Sequence, residues 1–148
     1  TQARSEIDAI LSRDKGERAA DIRKAMQDIM MDNVSVVRNE QMLTEAQAKI
    51  AELQEAYRHV AIQDKGKRYN TELTEALELG CMLDCAETIV HGALQRTESR
   101  GAHYRDDYEA RDDTNWLAHS MITRTPDGLQ LEKKPIVITI FEPKERKY

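Results

Sequence analysis

The sequence predicts a mainly α-helical fold: a three-helix bundle of the spectrin-repeat type, followed by an irregular loop and a short β-hairpin extension. Apolar residues recur at spacings of three and four through the first two-thirds of the chain. Charged residues make up 33% of the 148 and hydrophobic ones 40%, a balance typical of a soluble helical domain. Pro126-Asp127-Gly128 separates two segments rich in apolar residues, as a hairpin turn does. We therefore expect one domain over residues 1–148.

Three long helices are predicted, at about 17–31, 44–60 and 70–97, after a short helical segment at 5–13. Asp32-Asn33 is expected to end the first, because Asn tolerates the left-handed turn found at helix ends. Thr44, with Gln47 three residues later, has the pattern of a capping box and predicts the start of the second. Asn70 or Thr71 is expected to cap the third. The second helix has a regular apolar seam, which consists of Leu43, Ala46, Ile50, Leu53, Tyr57 and Val60.

The third helix has an apolar stripe that is expected to change sides. Its first half places Leu73, Ala76, Leu77, Gly80 and Leu83 on one face, and its second half places Ala86, Ile89, Val90 and Ala93 on another. Two interpretations stay open: a central helix with a few satisfied polar groups, or a helix whose second half packs on a body outside the bundle. The Cys81–Cys85 pair offers too few ligands for zinc, and we expect two small buried side chains in a reducing compartment.

The last third of the chain changes character. Residues 98–115 are expected to form a loop, because Glu98 to Asp113 holds ten charged residues or histidines with no regular period. In the extension 116–148, strands are predicted at 116–125 and 129–141. The segment 136–141 is apolar on both faces, and a two-stranded ribbon is marginal alone. The hairpin must therefore lie on the helices or on another domain.

The loop is where any function is expected. Arg100, Arg105 and Arg111 alternate with four aspartates, and such a loop either binds an acid or locks itself with internal ion pairs. His103 has a suitable unperturbed pKa for a general base, but we favour a histidine hydrogen-bonded within the loop. The other histidines are interpreted as structural or surface residues.

Several classes of function are excluded by composition and motifs. The net charge of −5 argues against nucleic-acid binding, and no apolar run is long enough to span a membrane. The sequence has no Gly-x-Ser-x-Gly elbow, no Gly-x-Gly-x-x-Gly after a strand and no phosphate loop. No catalytic, cofactor-binding or metal-ligating residue is therefore predicted. The chain lacks an initiator Met, so we expect it to start within a longer protein or to be processed.

The loop sequence also resembles a known family. The run Glu98-Ser99-Arg100-Gly101-Ala102-His103, continued by Arg105, Asp107-Tyr108, Arg111-Asp112-Asp113 and Trp116, resembles the C-terminal domain of succinate dehydrogenase and fumarate reductase flavoproteins. The stretch from Asp64 to Leu73 and the closing Glu142-Pro143-Lys144-Glu145-Arg146-Lys147-Tyr148 are similar to the actinobacterial-type version. The resemblance covers nearly the whole chain.

The resemblance implies a parent enzyme that holds FAD elsewhere, oxidises succinate to fumarate, and passes electrons to an iron–sulfur subunit and on to quinone. It places the parent in a peripheral complex on the cytoplasmic side of the bacterial plasma membrane. It also implies that this domain packs on the flavin-binding domain of the same chain. The residues expected at that inter-domain interface are Arg100, His103, Arg105, Arg111, Asp112, Asp113 and Trp116.

Two alternatives stay open. The same module occurs in L-aspartate oxidase and adenylylsulfate reductase, although the hairpin and the closing residues resemble the succinate dehydrogenase tail more. A free-standing helical adaptor is also consistent with the seam of the second helix. An upstream flavin domain in the same reading frame would exclude the adaptor.

Overall fold

The computed structural model describes residues 2–141 and 143–144. Along the chain, the elements are α1 (Gln2–Ser12), α2 (Ala19–Val34), β1 (Val37–Arg38), α3 (Glu40–Tyr57), α4 (Thr71–Gln95), β2 (Tyr104–Arg105), α5 (Asp113–Trp116), β3 (Ala118–Thr125) and β4 (Gly128–Pro135). Helices α2, α3 and α4 pack on one another and enclose the apolar core, and α1 lies against α4. The predicted bundle, loop and hairpin are therefore confirmed. None of the helices in the described part of the chain is both long and apolar enough to cross a membrane.

The seam of α3 is where the predicted pattern and the core agree best. The residues that α3 buries are Leu43, Ala46, Ile50 and Leu53, and Val60 is buried just beyond the helix end. Each large apolar side chain buried in this way contributes roughly 1.5–3 kcal/mol relative to leaving it exposed. These side chains fill the space between α2 and α4, so α3 is held from both sides.

The start of α3 differs from the prediction. The helix begins at Glu40, capped by Asn39, whose side chain accepts a hydrogen bond from Met42 N at 2.9 Å. Thr44 and Gln47 lie on its exposed surface. Asn39 has an extended backbone and a short acceptor side chain, which is what an N-cap requires. The capping-box prediction at Thr44 is therefore wrong by one turn.

Helices α1, α2 and α4 also differ at their ends. Helix α2 starts at Ala19 and runs to Val34, past the predicted stop at Asp32-Asn33, and the Val34 side chain is buried. Helix α4 begins after Asn70, as predicted, because the Asn70 side chain accepts from Leu73 N at 2.8 Å. It ends at Gln95, two residues earlier than expected. Helix α1 spans Gln2–Ser12 instead of 5–13.

Helix α4 has one continuous buried stripe, so the predicted change of sides is wrong. The buried residues are Ala76, Leu79, Leu83, Ala86, Val90 and Ala93, at alternating spacings of three and four. Leu73 and Leu77 lie at one edge of this stripe and are partly buried, whereas Ile89 is 51% exposed. The prediction took these flanking residues for its centre. The first interpretation, a central helix of the bundle, is correct.

Cys81 and Cys85 are both free and exposed, which contradicts the prediction that they are buried. Each follows a buried leucine of α4 by two positions. Two residues correspond to a rotation of about 200° around a helix axis. Both thiols therefore point away from the core.

The segment after α1 is joined to the end of α3 by backbone hydrogen bonds. Glu17 N donates to His59 O at 3.0 Å, and Ala61 N donates to Glu17 O at 3.1 Å. Gly16 lies so close to this junction that an added Cβ would be 2.0 Å from His59 O. This position therefore requires glycine, because any side chain would push the two segments apart.

The hairpin lies on α4. Its register runs from Ala118↔Pro135 to Thr125↔Gly128, and Gly128 takes a positive φ of 114° in the predicted turn. An added Cβ on Gly92 of α4 would be only 2.9 Å from Ile122 Cδ1, so the two elements pack closely. Arg124 donates to Glu87 Oε2 at 2.6 Å and to Asp84 Oδ1 at 3.1 Å.

Both predicted strands are longer than the observed ones. The helical turn α5 occupies residues 113–116, so β3 cannot begin before Ala118. Strand β4 consequently has no partner beyond Pro135, and residues 136–141 are not part of a sheet. Part of the closing sequence, residues 142 and 145–148, lies outside the described residues. A further pairing was not predicted: β1 and β2 form a two-residue parallel pair, with Val37 opposite Tyr104.

Candidate functional site

The loop from Glu98 to Trp116 closes one end of the bundle through a chain of charged contacts. Glu98 lies at its centre with an exposed fraction of 0%. Arg100 donates to both Glu98 oxygens, at 2.8 and 3.0 Å, and Asp112 N donates at 2.8 Å. Arg96 is a further donor to the same carboxylate. Each buried oxygen therefore has a charged partner.

These donors determine the charge state of Glu98. Burial alone would raise the pKa of the carboxyl group, but the hydrogen bonds from Arg100 and from Asp112 N outweigh it and hold the pKa below its usual value. Glu98 is therefore ionised at neutral pH. The carboxylate fixes the start of the loop (Arg100) and its last part (Asp112) relative to one another.

Arg105 is the second buried charge, with an exposed fraction of 1%. Its Nε and Nη2 atoms donate to the two oxygens of Asp107, each at 2.6 Å. Its Nη1 donates to the carbonyl oxygens of Ala93 and Leu94 at 3.1 Å. These carbonyls belong to the last turn of α4, where the helix dipole favours a cation. The guanidinium therefore caps α4 while pairing with Asp107.

Asp107 extends this contact to α3. Its Oδ2 accepts a hydrogen bond from Glu40 N at 2.9 Å, at the first residue of that helix. Its pKa is lowered, chiefly by the hydrogen bond from Arg105. A carboxylate is favoured at a helix N-terminus, as a cation is at a C-terminus. The Arg105–Asp107 pair, hereafter the helix-end clamp, thus joins the C-terminus of α4 to the N-terminus of α3.

His103 uses both ring nitrogens inside the domain. Nε2 lies 3.1 Å from Arg96 O, and Nδ1 lies 3.3 Å from Arg38 Nη1. A carbonyl can only accept, so Nε2 carries the proton and Nδ1 accepts from Arg38. Burial, and then the nearby charges of Arg38 and Arg105, lower its pKa despite the hydrogen bond to Arg96 O. The ring is hydrogen-bonded, but its partners Arg96 and Arg38 lie outside the loop and not within it as predicted. Neither nitrogen is free to act as a general base.

The outer part of the loop is a second ion-pair chain. Arg100 Nη2 donates to Asp113 Oδ1 at 2.7 Å, and Arg111 Nη2 donates to Asp113 Oδ2 at 2.6 Å. Asp112 caps α5 by accepting from Asn115 N at 2.9 Å. Arg111 also donates to Lys144 O at 3.0 Å. This series of ion pairs therefore runs from the buried Glu98 out to the extension.

Trp116 joins the loop to the hairpin. The ring is buried, and its Nε1 donates to Thr97 Oγ1 at 3.2 Å. Arg96 Cζ and Lys133 Nζ lie 5.0 and 3.6 Å from the ring centroid, which is the range of cation–π interactions. Arg96 also donates to Ala118 O at 2.8 Å.

Six of the seven predicted interface residues are linked, directly or through one another, to Glu98 and Arg96, and Arg105 belongs to the neighbouring helix-end clamp. Arg105 and Trp116 face inward, whereas Arg111 and Asp113 lie nearer the surface. The prediction missed Arg38 and Arg96. Arg96 had a detectable signal: it lies in the last turn of the predicted helix 70–97, two residues before a glutamate. Arg38 had none, because its contact with His103 spans 65 positions.

The charged groups of the cluster are paired with one another. Among the described residues, no buried side-chain nitrogen or oxygen lacks a hydrogen-bond partner, and no group of three or more His, Cys, Asp or Glu is placed to hold a metal ion. A groove of about 800 Å³ lies elsewhere, between α1, α3 and α4, beside Tyr57, Gly80 and Cys81.

Comparison with known proteins gives a consistent result. Residues 23–148 match the family model described as the fumarate reductase flavoprotein C-terminus. The chain is 45% identical over 134 residues to the fumarate reductase flavoprotein subunit of Mycobacterium tuberculosis, covering 90% of this chain and 23% of the relative. The succinate dehydrogenase flavoprotein subunit of Rickettsia felis is 39% identical over 121 residues, covering 81% of this chain and 20% of the relative. The chain thus spans about a quarter of the length of the curated relatives it matches.

Solved structures share the fold. A variant of Escherichia coli quinol fumarate reductase superposes with a TM-score of 0.90 at 35% identity, over 97% of this chain and 25% of that one. Adenylylsulfate reductase from Archaeoglobus fulgidus superposes with a TM-score of 0.77 at 26% identity, over 89% of this chain and 21% of that one.

Proposed function

Because this chain belongs to the family of fumarate reductase flavoprotein C-terminal domains, we propose that residues 1–148 are the non-catalytic C-terminal helical domain of a succinate dehydrogenase or fumarate reductase flavoprotein subunit. One observation carries the proposal: the family match spans residues 23–148, yet the chain corresponds to only 23% of its Mycobacterium tuberculosis relative. Adenylylsulfate reductase shares the fold at lower identity. No observation favours a free-standing adaptor.

The activity of the parent protein is part of this proposal. We propose that the parent interconverts succinate and fumarate through FAD, and passes electrons to an iron–sulfur subunit and quinone on the cytoplasmic side of the bacterial plasma membrane. The described residues do not fit FAD themselves. Their parallel pairing is only two residues long and is not followed by the glycine-rich turn and helix that hold a dinucleotide. The flavin would be bound by the rest of the parent chain.

We propose that the role of this domain is to pack on that flavin-binding part through the Glu98–Trp116 loop. Two features of the loop support this. Its buried charges are paired internally, so the loop is already ordered before any contact forms, which reduces the entropy cost of association. Its outer pair, Arg111 and Asp113, remains near the surface, where charge-assisted hydrogen bonds can orient a partner.

The proposal is tested by comparing the isolated chain with the full-length flavoprotein. We expect the isolated chain to fold, to be colourless and to show no succinate-dependent dye reduction. Flavin absorbance that copurifies with the isolated chain, or dye reduction by it, would contradict the proposal. Arg111→Ala should lower the melting temperature of the full-length protein more than that of the isolated chain. Arg124→Ala, which removes two salt bridges outside the loop, should change the melting temperature of the isolated chain and of the full-length protein equally.

A further inference from the structure

The segment 136–141 is an exposed apolar part of the described chain outside the helices. Val137 is 87% exposed, Ile140 is 79% exposed and Phe141 is 85% exposed. Together these side chains form an exposed apolar patch, which in a soluble protein indicates an interaction site.

The two ends of this segment are anchored on the loop region. At one end, Pro135 closes the hairpin register opposite Ala118, and Lys133 Nζ donates to Asn115 O at 3.0 Å. At the other end, Lys144 O accepts from Arg111 at 3.0 Å. Arg111 is in turn held by Asp113. The loop region therefore contacts the chain on both sides of the segment.

The pattern of the segment is that of a strand buried on both faces. Five of its six residues are apolar, and several are β-branched. Such continuous apolar runs occur in strands covered on both sides. In the described part of the chain, however, the segment belongs to no sheet, and its backbone forms no hydrogen bond with the backbone of another described residue. Among these residues, its backbone donors and acceptors therefore lack a backbone partner.

We propose that residues 136–141 dock by adding as a strand to the edge of a β-sheet in the flavin-binding part of the same parent chain. This inference rests on the proposed function. Strand addition satisfies the open backbone groups, and alternate side-chain pockets cover both apolar faces. The sheet that receives this strand is assigned to the same parent chain for one reason. The matching domain of quinol fumarate reductase superposes over 97% of this chain and leaves three-quarters of that longer chain unmatched.

The experiment compares amide hydrogen exchange in the isolated chain and in the full-length flavoprotein purified without its other subunits. We expect amides of residues 136–141 to exchange at least about tenfold more slowly in the full-length protein, because strand pairing protects them. Val137→Asp should leave the melting temperature of the isolated chain unchanged and lower that of the full-length protein. Met121→Asp is the matched control, since Met121 is an exposed apolar residue of β3 outside the segment.

The other outcomes separate this inference from the proposed function. Slower exchange in the Glu98–Trp116 loop but not at 136–141 would overturn the strand addition and leave the proposed function standing. No change in either region would contradict both. Slower exchange at 136–141 only after the iron–sulfur subunit is added would overturn the assignment to the same chain.

Discussion

Replacing Arg105 with alanine tests whether the helix-end clamp stabilises the domain. The substitution removes the only guanidinium bonded to Asp107, Ala93 O and Leu94 O in the described contacts. The Asp107 carboxylate keeps its bond from Glu40 N but loses its cation. The last turn of α4 loses a donor to two carbonyls, and the side chain leaves a cavity. Every one of these changes destabilises the folded chain.

The magnitude follows from burial. Breaking a buried ion pair by removing one partner costs about 3–5 kcal/mol. Asp107 is 28% exposed, so water compensates part of the loss, and we expect the lower end, about 3 kcal/mol. For a chain of this size, each kcal/mol lowers the melting temperature by about 2–4 °C. The expected decrease is therefore roughly 6–12 °C.

The assay is urea denaturation and thermal melting of the isolated chain, with Arg124→Ala as the matched control. Arg124 also pairs with two carboxylates, but its side chain is 52% exposed. Exposed pairs contribute less than about 1 kcal/mol. Arg105→Lys should not rescue the loss, because a point charge cannot replace the fork that reaches Asp107 and the α4 carbonyls together. If Arg105→Ala destabilises no more than Arg124→Ala, the reasoning from burial is wrong.

Three further predictions concern other parts of the chain. Between pH 7.5 and 5.5 the free energy of unfolding should fall as pH decreases, because burial lowers the folded pKa of His103 and the unfolded chain takes up the proton first, near pH 6.5. His103→Gln should flatten this dependence. Equal slopes of unfolding free energy against pH for the two proteins would contradict the prediction. Cys81 and Cys85 should both react with a thiol reagent in the folded, zinc-free chain, whereas one reactive thiol or none would show that a side chain is covered. Gly16→Ala should destabilise the chain by roughly 1–3 kcal/mol, measured by urea denaturation, because its Cβ would overlap the carbonyl of His59, and an unchanged midpoint would refute this.

The helices were predictable because burial of one face requires apolar residues at spacings of three and four. In α3, the seam from Leu43 to Leu53 follows from spacing alone, since one face of the helix is covered along its length. In α4, the predicted stripes left out Leu79, which is fully buried, and included Leu73 and Ile89, which lie on either side of the buried stripe. Apolar residues flank the stripe on both sides, so hydrophobicity alone does not mark its centre.

The loop was predictable in composition but not in geometry. Alternating charges indicated internal ion pairs, yet nothing local indicates that Asp107 meets the first residue of α3 or that His103 meets Arg38. Those contacts join positions about 65 residues apart and depend on how the bundle closes. The strand predicted over 129–141 ends early, at Pro135, for a related reason, because a strand exists only where a partner is available.

The helix-end clamp also has a fixed polarity. An ordinary surface ion pair keeps its attraction when its two members are exchanged. Here the exchange would set a carboxylate against the carbonyls of Ala93 and Leu94 and a guanidinium against Glu40 N. Both helix ends would then repel the group beside them. A chain with Asp at 105 and Arg at 107 would keep the same composition and net charge, yet it would have lost the contact that closes the end of the bundle.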